Sequence, residues 1–422
     1  MNRRIGAILL FAALLGSIPA RAYSEETAYS PSPPSHIELM AGGVAYVPDA
    51  SPLAQAQEIT YSPPFDSGFL VGGVAYVPDA SPLAQAPPAD NWHQPPSGNL
   101  VENGSVAAGR PGVRCDACPE VYGQVEGLLL RRDPRIAIQP VIIDAVTGQT
   151  FLSTADLDYS FDPGLRAMAG MRLGGCRALE FSYLGLFGAW SFAGTSATNP
   201  DAVLTFPGDL GPATNVFFGT DRVRLSYETR LHSFELNLPC RCCPCCCCDG
   251  ADCRSFEWIT GLRYLNLQEQ FRIYGERDEF GGTETGYYNV DTRNSLYGAQ
   301  LGARIRRGWN RFRWEATGKA GLLHNDAEQS QYLVDFPNYL RRAPVSGASG
   351  QAAFIGEINL SAIYRLDDLW GIRVGYNAIW LEGVALAPDQ LDFTFTDASG
   401  TGVNHVGGLF LHGVNVGLEA RW

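Results

Sequence analysis

From Val121 to the end of the sequence, apolar and polar residues alternate with a period of two in ten separate stretches, and this repetition limits the folds open to the chain. The stripes are Val121 to Arg131, Leu165 to Leu173, Leu179 to Trp190, Val223 to Leu238, Phe256 to Phe271, Tyr288 to Ile305, Phe312 to Leu322, Ala352 to Leu366, Trp370 to Leu381 and Gly408 to Trp422. In the last of them Val414, Val416, Leu418, Ala420 and Trp422 share one face, while Gly413, Asn415, Gly417, Glu419 and Arg421 share the other. One such strand also suits a soluble sandwich. Ten of them, most at least as long as the ~9 to 11 residues a tilted strand needs to cross a bilayer, predict an all-β transmembrane antiparallel up-and-down β-barrel of about ten strands.

The connections supply the expected topology. They run roughly 132 to 163, 174 to 177, 191 to 221, 239 to 254, 273 to 287, 306 to 311, 323 to 350, 367 to 369 and 383 to 407, with long ones at odd places and shorter ones at even places. Transmembrane barrels have short periplasmic turns and longer outer loops, so both barrel ends are expected in the periplasm and the protein in the cell outer membrane. Aromatic residues then fall into two girdles. Phe256, Trp258, Phe312, Trp314, Tyr364, Trp370 and Trp422 lie at the periplasmic ends, and Phe187, Trp190, Tyr297, Trp380 and Phe410 at the outer ends.

The preceding residues read differently. Arg3 and Arg4, the apolar run Ile5 to Ile18 and the small-residue site at 20–22 read as a signal peptide over residues 1–22. Residues 23–112 hold fourteen prolines and repeat GGVAYVPDASPLAQA at 42–56 and 72–86. This composition predicts a disordered Pro-rich periplasmic tether, with Tyr46 and Tyr76 as anchor points should it engage a periplasmic partner. The barrel is expected over 113–422. The formal charge is −13 and becomes three units more negative without Arg3, Arg4 and Arg21, which excludes nucleic acid as a natural partner and leaves outer-membrane lipid. A monomer is expected.

The basic residues are thirty Arg and one Lys, Lys319. Many fall on the polar parity of the stripes together with glutamates. Arg263, Arg304, Arg313, Arg365, Arg373, Lys319, Glu315 and Glu357 are therefore expected to line a lumen laced with ion pairs. The same alternation puts Ala316 toward lipid and Thr317 toward the lumen. Eight of eleven cysteines lie between Cys240 and Cys253, within a Cys-rich turn at 239–254, and Cys115, Cys118 and Cys176 complete the set on the periplasmic side. Disulfides suit that compartment, with Cys115, Cys118, Cys176, Cys240 and Cys253 as candidates. A thiophilic metal and intermolecular crosslinks remain alternatives, and the connectivity is open.

No phosphate loop, HExxH or GxSxG motif is present, so neither catalysis nor a cofactor is expected. His405 with Asp397 in the last loop is the nearest approach to a catalytic pair, and the acids Glu276, Asp278 and Glu279, or Asp389 and Asp392, to a weak calcium site. The segments LEFSYLGLF (179–187), GLRYLNLQEQF (261–271), YGAQLGARI (297–305), EATGKAGLLHNDA (315–327), AAFIGEINLSAIYRL (352–366), RVGYNAIWLEGVALAPDQL (373–391) and HGVNVGLEARW (412–422) resemble, in this order, the planctomycete beta-barrel porin family that stands seventh in its numbered series. The resemblance covers roughly Val121 to Trp422 and implies an outer-membrane barrel with a pore role, but no substrate. Two expectations follow: a narrow passive channel for small ions or solutes, or a structural or surface-interaction barrel without an open pore. Ten strands sit close to the eight whose interior side chains just fill, far from the sixteen that leave an aqueous channel.

Overall fold

The structure, a computed structural model, describes residues 121–174, 176–197, 202–208, 217–241, 254–279, 282–335 and 339–422. The signal peptide, the duplicated tether, Cys115, Cys118 and the cysteines from 242 to 253 lie outside the described residues. Ten strands form the barrel: β1 (Val121–Arg135), β2 (Phe161–Gly174), β3 (Arg177–Ser196), β4 (Arg222–Arg241), β5 (Arg254–Glu279), β6 (Gly282–Trp309), β7 (Phe312–Asp335), β8 (Tyr339–Arg365), β9 (Trp370–Val384) and β10 (Gly407–Arg421). Each pairs antiparallel with its sequence neighbour, and β1 pairs with β10 from Tyr122↔Arg421 to Arg135↔Gly408, closing the ring. Val121 and Trp422 exchange backbone hydrogen bonds of 2.9 Å in both directions at the seam.

The alternation is obeyed. Leu262, Leu301, Leu322 and Val416 point outward, and the first three are more than 60 % exposed. Trp258, Trp314 and Tyr364 ring the lower edge of this apolar band, and Tyr297, Trp380 and Phe410 the upper edge, with Trp380 and Phe410 6.2 Å apart. A closed ring with no unpaired edge and an apolar belt between aromatic girdles is the form in which strands can sit in hydrocarbon, and the protein is an outer-membrane β-barrel. Thr317 faces inward, where its hydroxyl accepts a 3.3 Å bond from Arg304 Nε.

Two expected long loops are not loops. β5 and β6 continue to within two residues of each other, with Gly282 opposite Glu279, and β7 and β8 pair up to Asp335↔Tyr339. These four strands run 26, 28, 24 and 27 residues, more than twice what a bilayer crossing needs. Above the lipid their outward residues turn polar, as at Gln268, Arg293 and Glu328, while backbone pairing continues. The greasy stripe ends there and the strand does not.

Leu301→Arg, which aims a charge at lipid, is expected to lower stability by ~2 to 4 kcal/mol or block assembly. Gln268→Arg, outward but above the band, is expected to leave the barrel unchanged, with urea unfolding of the two variants as the comparison.

Candidate functional site: a filled lumen under a folded lid

Inward positions on the periplasmic half of the strands carry the expected ion pairs. Arg263 meets Glu357 at 3.0 Å and Glu235 at 3.3 Å; Lys319 meets Glu235 at 2.7 Å and Glu357 at 3.2 Å; Arg166 meets Glu357 at 2.7 Å. Nearer the periplasm Arg304 grips Glu180 with both terminal nitrogens, at 2.7 and 2.8 Å. Arg373 joins Glu126 at 3.0 Å and is bonded to Glu315, which also accepts from Arg306 at 2.6 Å. Arg313 is paired with Glu419 at 2.6 Å. Six of the eight residues expected in the lumen, Arg263, Arg304, Glu315, Lys319, Glu357 and Arg373, are joined in one network, whose two halves meet where Arg166 reaches Glu126 at 3.7 Å; the seventh, Arg313, forms a separate pair with Glu419. Arg365 is half-buried at the rim, at the end of β8, where its backbone N–H donates to Arg311 O at 2.9 Å.

Among the described residues the seven inward carboxylates Glu126, Glu180, Glu235, Glu257, Glu315, Glu357 and Glu419 are paired with the cations Arg166, Arg241, Arg263, Arg304, Arg306, Arg313, Lys319 and Arg373, so the layer is close to neutral. It is also tightly filled. The space left between Gln124, Arg166, Lys319, Glu357 and their neighbours is about 50 Å³, enough for a few ordered waters.

Above the charges the lumen becomes apolar, which the alternating pattern did not lead one to expect. Leu128 and Leu130 of β1, Leu184 and Leu186 of β3, Leu265 and Leu267 of β5, Ile379 and Leu381 of β9, and Leu409 and Leu411 of β10 all point inward and pack with Leu231, Leu296, Leu323 and Ile355 into a single cluster, each at most 4 % exposed. The ion pairs expected in the lumen therefore fill one level of it, with the leucine layer above them. The sequence carries a signal for this layer: Leu128, Leu129 and Leu130 run consecutively, and an apolar run on both parities marks a strand buried on both faces.

The outer mouth is closed as well. Gly383, at φ +81°, sits within a register shift between Glu382 and Val384 at the end of β9, and the 385–406 segment that follows folds into the opening. Asn294 clamps Ala385 with two 2.8 Å bonds, donating from Nδ2 to the carbonyl and accepting the amide at Oδ1. The Ala387 amide donates to Glu269 Oε2 at 3.0 Å, and Asn325 Nδ2 donates to Gly383 O at 3.1 Å. Glu269 in turn pairs with fully buried Arg132 at 2.9 Å and accepts the Tyr227 hydroxyl at 2.7 Å, while the Arg132 guanidinium lies 4.4 Å over the Tyr227 ring. Over this stand three short strands, Pro140–Asp144, Thr150–Ser153 and Leu204–Thr205. They pack Val141, Ile142, Leu152 and Leu204 against Phe271, Ile273 and Tyr288 of the barrel wall.

Of the other acidic candidates, the Glu279 side chain lies outside the described residues, and Glu276, Asp278, Asp389 and Asp392 are engaged internally. Glu276 and Asp278 pair with Arg222 at 2.7 and 3.2 Å, and Asp392 accepts the Thr394 and Gly400 amides at 2.9 Å, which organises the last loop. Asp389 Oδ1 accepts the Ala137 amide at 2.9 Å. His405 shares no described contact with Asp397, and burial pushes its pKa down. Burial likewise pushes the Asp389 carboxyl up to about 6, with the Ala137 bond opposing and nearby Glu269 adding to the rise.

No protein-family model matches the chain, and no curated protein matches it in sequence. Among solved structures it is similar to the outer membrane protease OmpT of Escherichia coli, with 10% identity and a TM-score of 0.41, over 72% of this chain and 97% of that one. A FadL homologue of Pseudomonas aeruginosa follows at 8% identity and a TM-score of 0.22, over 73% and 93%. An anion-selective porin of Comamonas acidovorans has 8% identity and a TM-score of 0.13, over 72% and 98%. Likenesses this slight bear on no activity.

Glu357 neutralises Arg166, Arg263 and Lys319 together, so Glu357→Gln should cost about 3 to 5 kcal/mol in urea unfolding, the penalty of stranding buried charge. Asp389 yields a pH dependence with a definite sign. Its pKa is higher in the closed lid than in an open one, so its contribution to closure is complete below about pH 4 and is lost as pH rises through about 6. Hydrogen exchange at Ala387 and Gln390 should accelerate beyond its intrinsic pH trend across that window in the native protein and not in Asp389→Asn.

Proposed function

We propose that this protein works as a closed, structural or surface-interaction barrel and that its outer face, not its lumen, carries its role. The observation that supports this reading most is the inward leucine layer, which crosses the ring between the ion pairs and the lid. An ion entering from either side would have to shed its water against leucine side chains that offer no polar replacement, which costs far more than thermal energy. The paired charges below add nothing to a path, since each guanidinium already holds its carboxylates. The lid adds a second closure, bonded through Asn294, Asn325 and Glu269 to strands on the facing wall.

The resemblance to the planctomycete beta-barrel porin family belongs with this proposal and pulls the other way. A narrow passive channel would use Arg263 and Arg373 as its selectivity groups, and it requires the leucine layer and the lid to part. No catalytic role is proposed for His405 or any other residue. A single copy completes the ring, which is consistent with a monomer in outer-membrane lipid.

Folded full-length protein in a planar bilayer should give no steady conductance across pH 4 to 8. Steady conductance whose size or ion selectivity changes in Arg263→Gln or Arg373→Gln would overturn the closed reading in favour of the channel.

A further inference from the structure

At the periplasmic end of the barrel, Cys176 and Cys240 bring their Sγ atoms to 2.8 Å. That is well inside the ~3.5 to 4.0 Å at which non-bonded heavy atoms settle. Two separate backbone features hold them there. Cys176 occupies the turn between β2 and β3, and its carbonyl accepts the Arg241 amide at 2.8 Å; Cys240 is the penultimate residue of β4 and lies opposite Arg177 in the ladder. The two cysteines are therefore offset by a single residue on strands already paired. Adjacent positions of this kind keep their Cα atoms within the ~4.4 to 6.8 Å that a disulfide spans. Both residues are half-buried at the rim, open to a reagent from the periplasm.

We infer that Cys176 and Cys240 form a structural disulfide that staples the first periplasmic turn to the end of β4. The bond forms as both thiols lose their protons and two electrons pass to a periplasmic protein of the dithiol–disulfide oxidase class. One thiolate attacks the oxidase disulfide, the second displaces it from the mixed disulfide, and the oxidase leaves as the dithiol. The two cysteines are 64 positions apart in sequence, so the closed loop takes in all of β3 and the outer connection at 197–221. A crosslink of that span constrains the unfolded chain strongly, and it acts on strands whose outer ends that same connection already joins. It also divides the cysteines by role, setting Cys240 apart from its neighbours between 242 and 253.

The test uses the full chain with the other nine cysteines changed to Ser and a protease site inserted in the 197–221 connection. It is folded in the outer membrane, alkylated, cleaved and run on a denaturing gel. The two fragments should stay linked without reductant and separate with it. The linkage should vanish in Cys176→Ser and in Cys240→Ser, each of which should still give the folded, heat-modifiable band. In the chain with all eleven cysteines, mass spectrometry of the non-reduced digest should recover the Cys176 peptide joined to the Cys240 peptide. Fragments that separate without reductant overturn the inference. So does a Cys176 recovered alkylated, or a Cys240 joined instead to a cysteine between 242 and 253.

Discussion

Backbone hydrogen bonding in a medium without water is the constraint on which the rest of this structure depends. Each peptide group in the lipid layer must find its partner on a neighbouring strand, and the last strand must return to the first, as β10 does along β1 from Arg421 to Gly408. Once the ring is closed at ten strands its interior is small, and whatever points inward must be packed or paired. The arginines meet this with planar, many-donor heads that reach carboxylates on distant strands. Arg263 bridges from β5 to Glu357 on β8, and Arg304 from β6 to Glu180 on β3. Such contacts cross the lumen and brace facing walls against each other, which the ladder alone cannot do.

The barrel is layered along its axis. Charge fills the periplasmic half, leucine the next level, and a second apolar cluster under the lid the outer mouth, with Arg132 and Glu269 set between the two apolar layers. A buried ion pair at that boundary is better understood as a locator than as a source of stability. Glu269 has one oxygen for Arg132 and the other for Tyr227 and the Ala387 amide, so the returning loop can dock in one position only.

Much of this was legible in the sequence because lipid and lumen impose opposite demands on alternate residues. All ten strands, the outward faces and seven of the eight luminal residues follow from parity alone. What parity conceals is any place where both faces want the same thing. Between Leu128 and Leu130 both do, and the leucine layer is hidden in a run that looks like the lipid face. The opposite case arises past Phe271, at Arg272, Glu276, Arg277 and Asp278, and past Leu323, at Asn325, Asp326, Glu328 and Gln329, where both parities carry polar side chains. The pattern stops there and the hydrogen-bond ladder does not, so two hairpins read as loops. The clamps of the lid were out of reach for a different reason: Asn294 and Ala385 are 91 residues apart, and nothing local in either marks the other.

The four longest strands, β5 to β8, are also consecutive, and their rise above the membrane is therefore confined to one arc of the ring. The opposite arc, β9, β10, β1 and β2, ends low and hands over to loops. A barrel of uniform height looks alike from every direction in the membrane plane, but this one has a front and a back. Its rotation about the membrane normal then decides whether a neighbour at the cell surface meets a tall β-wall or a low, loop-covered rim.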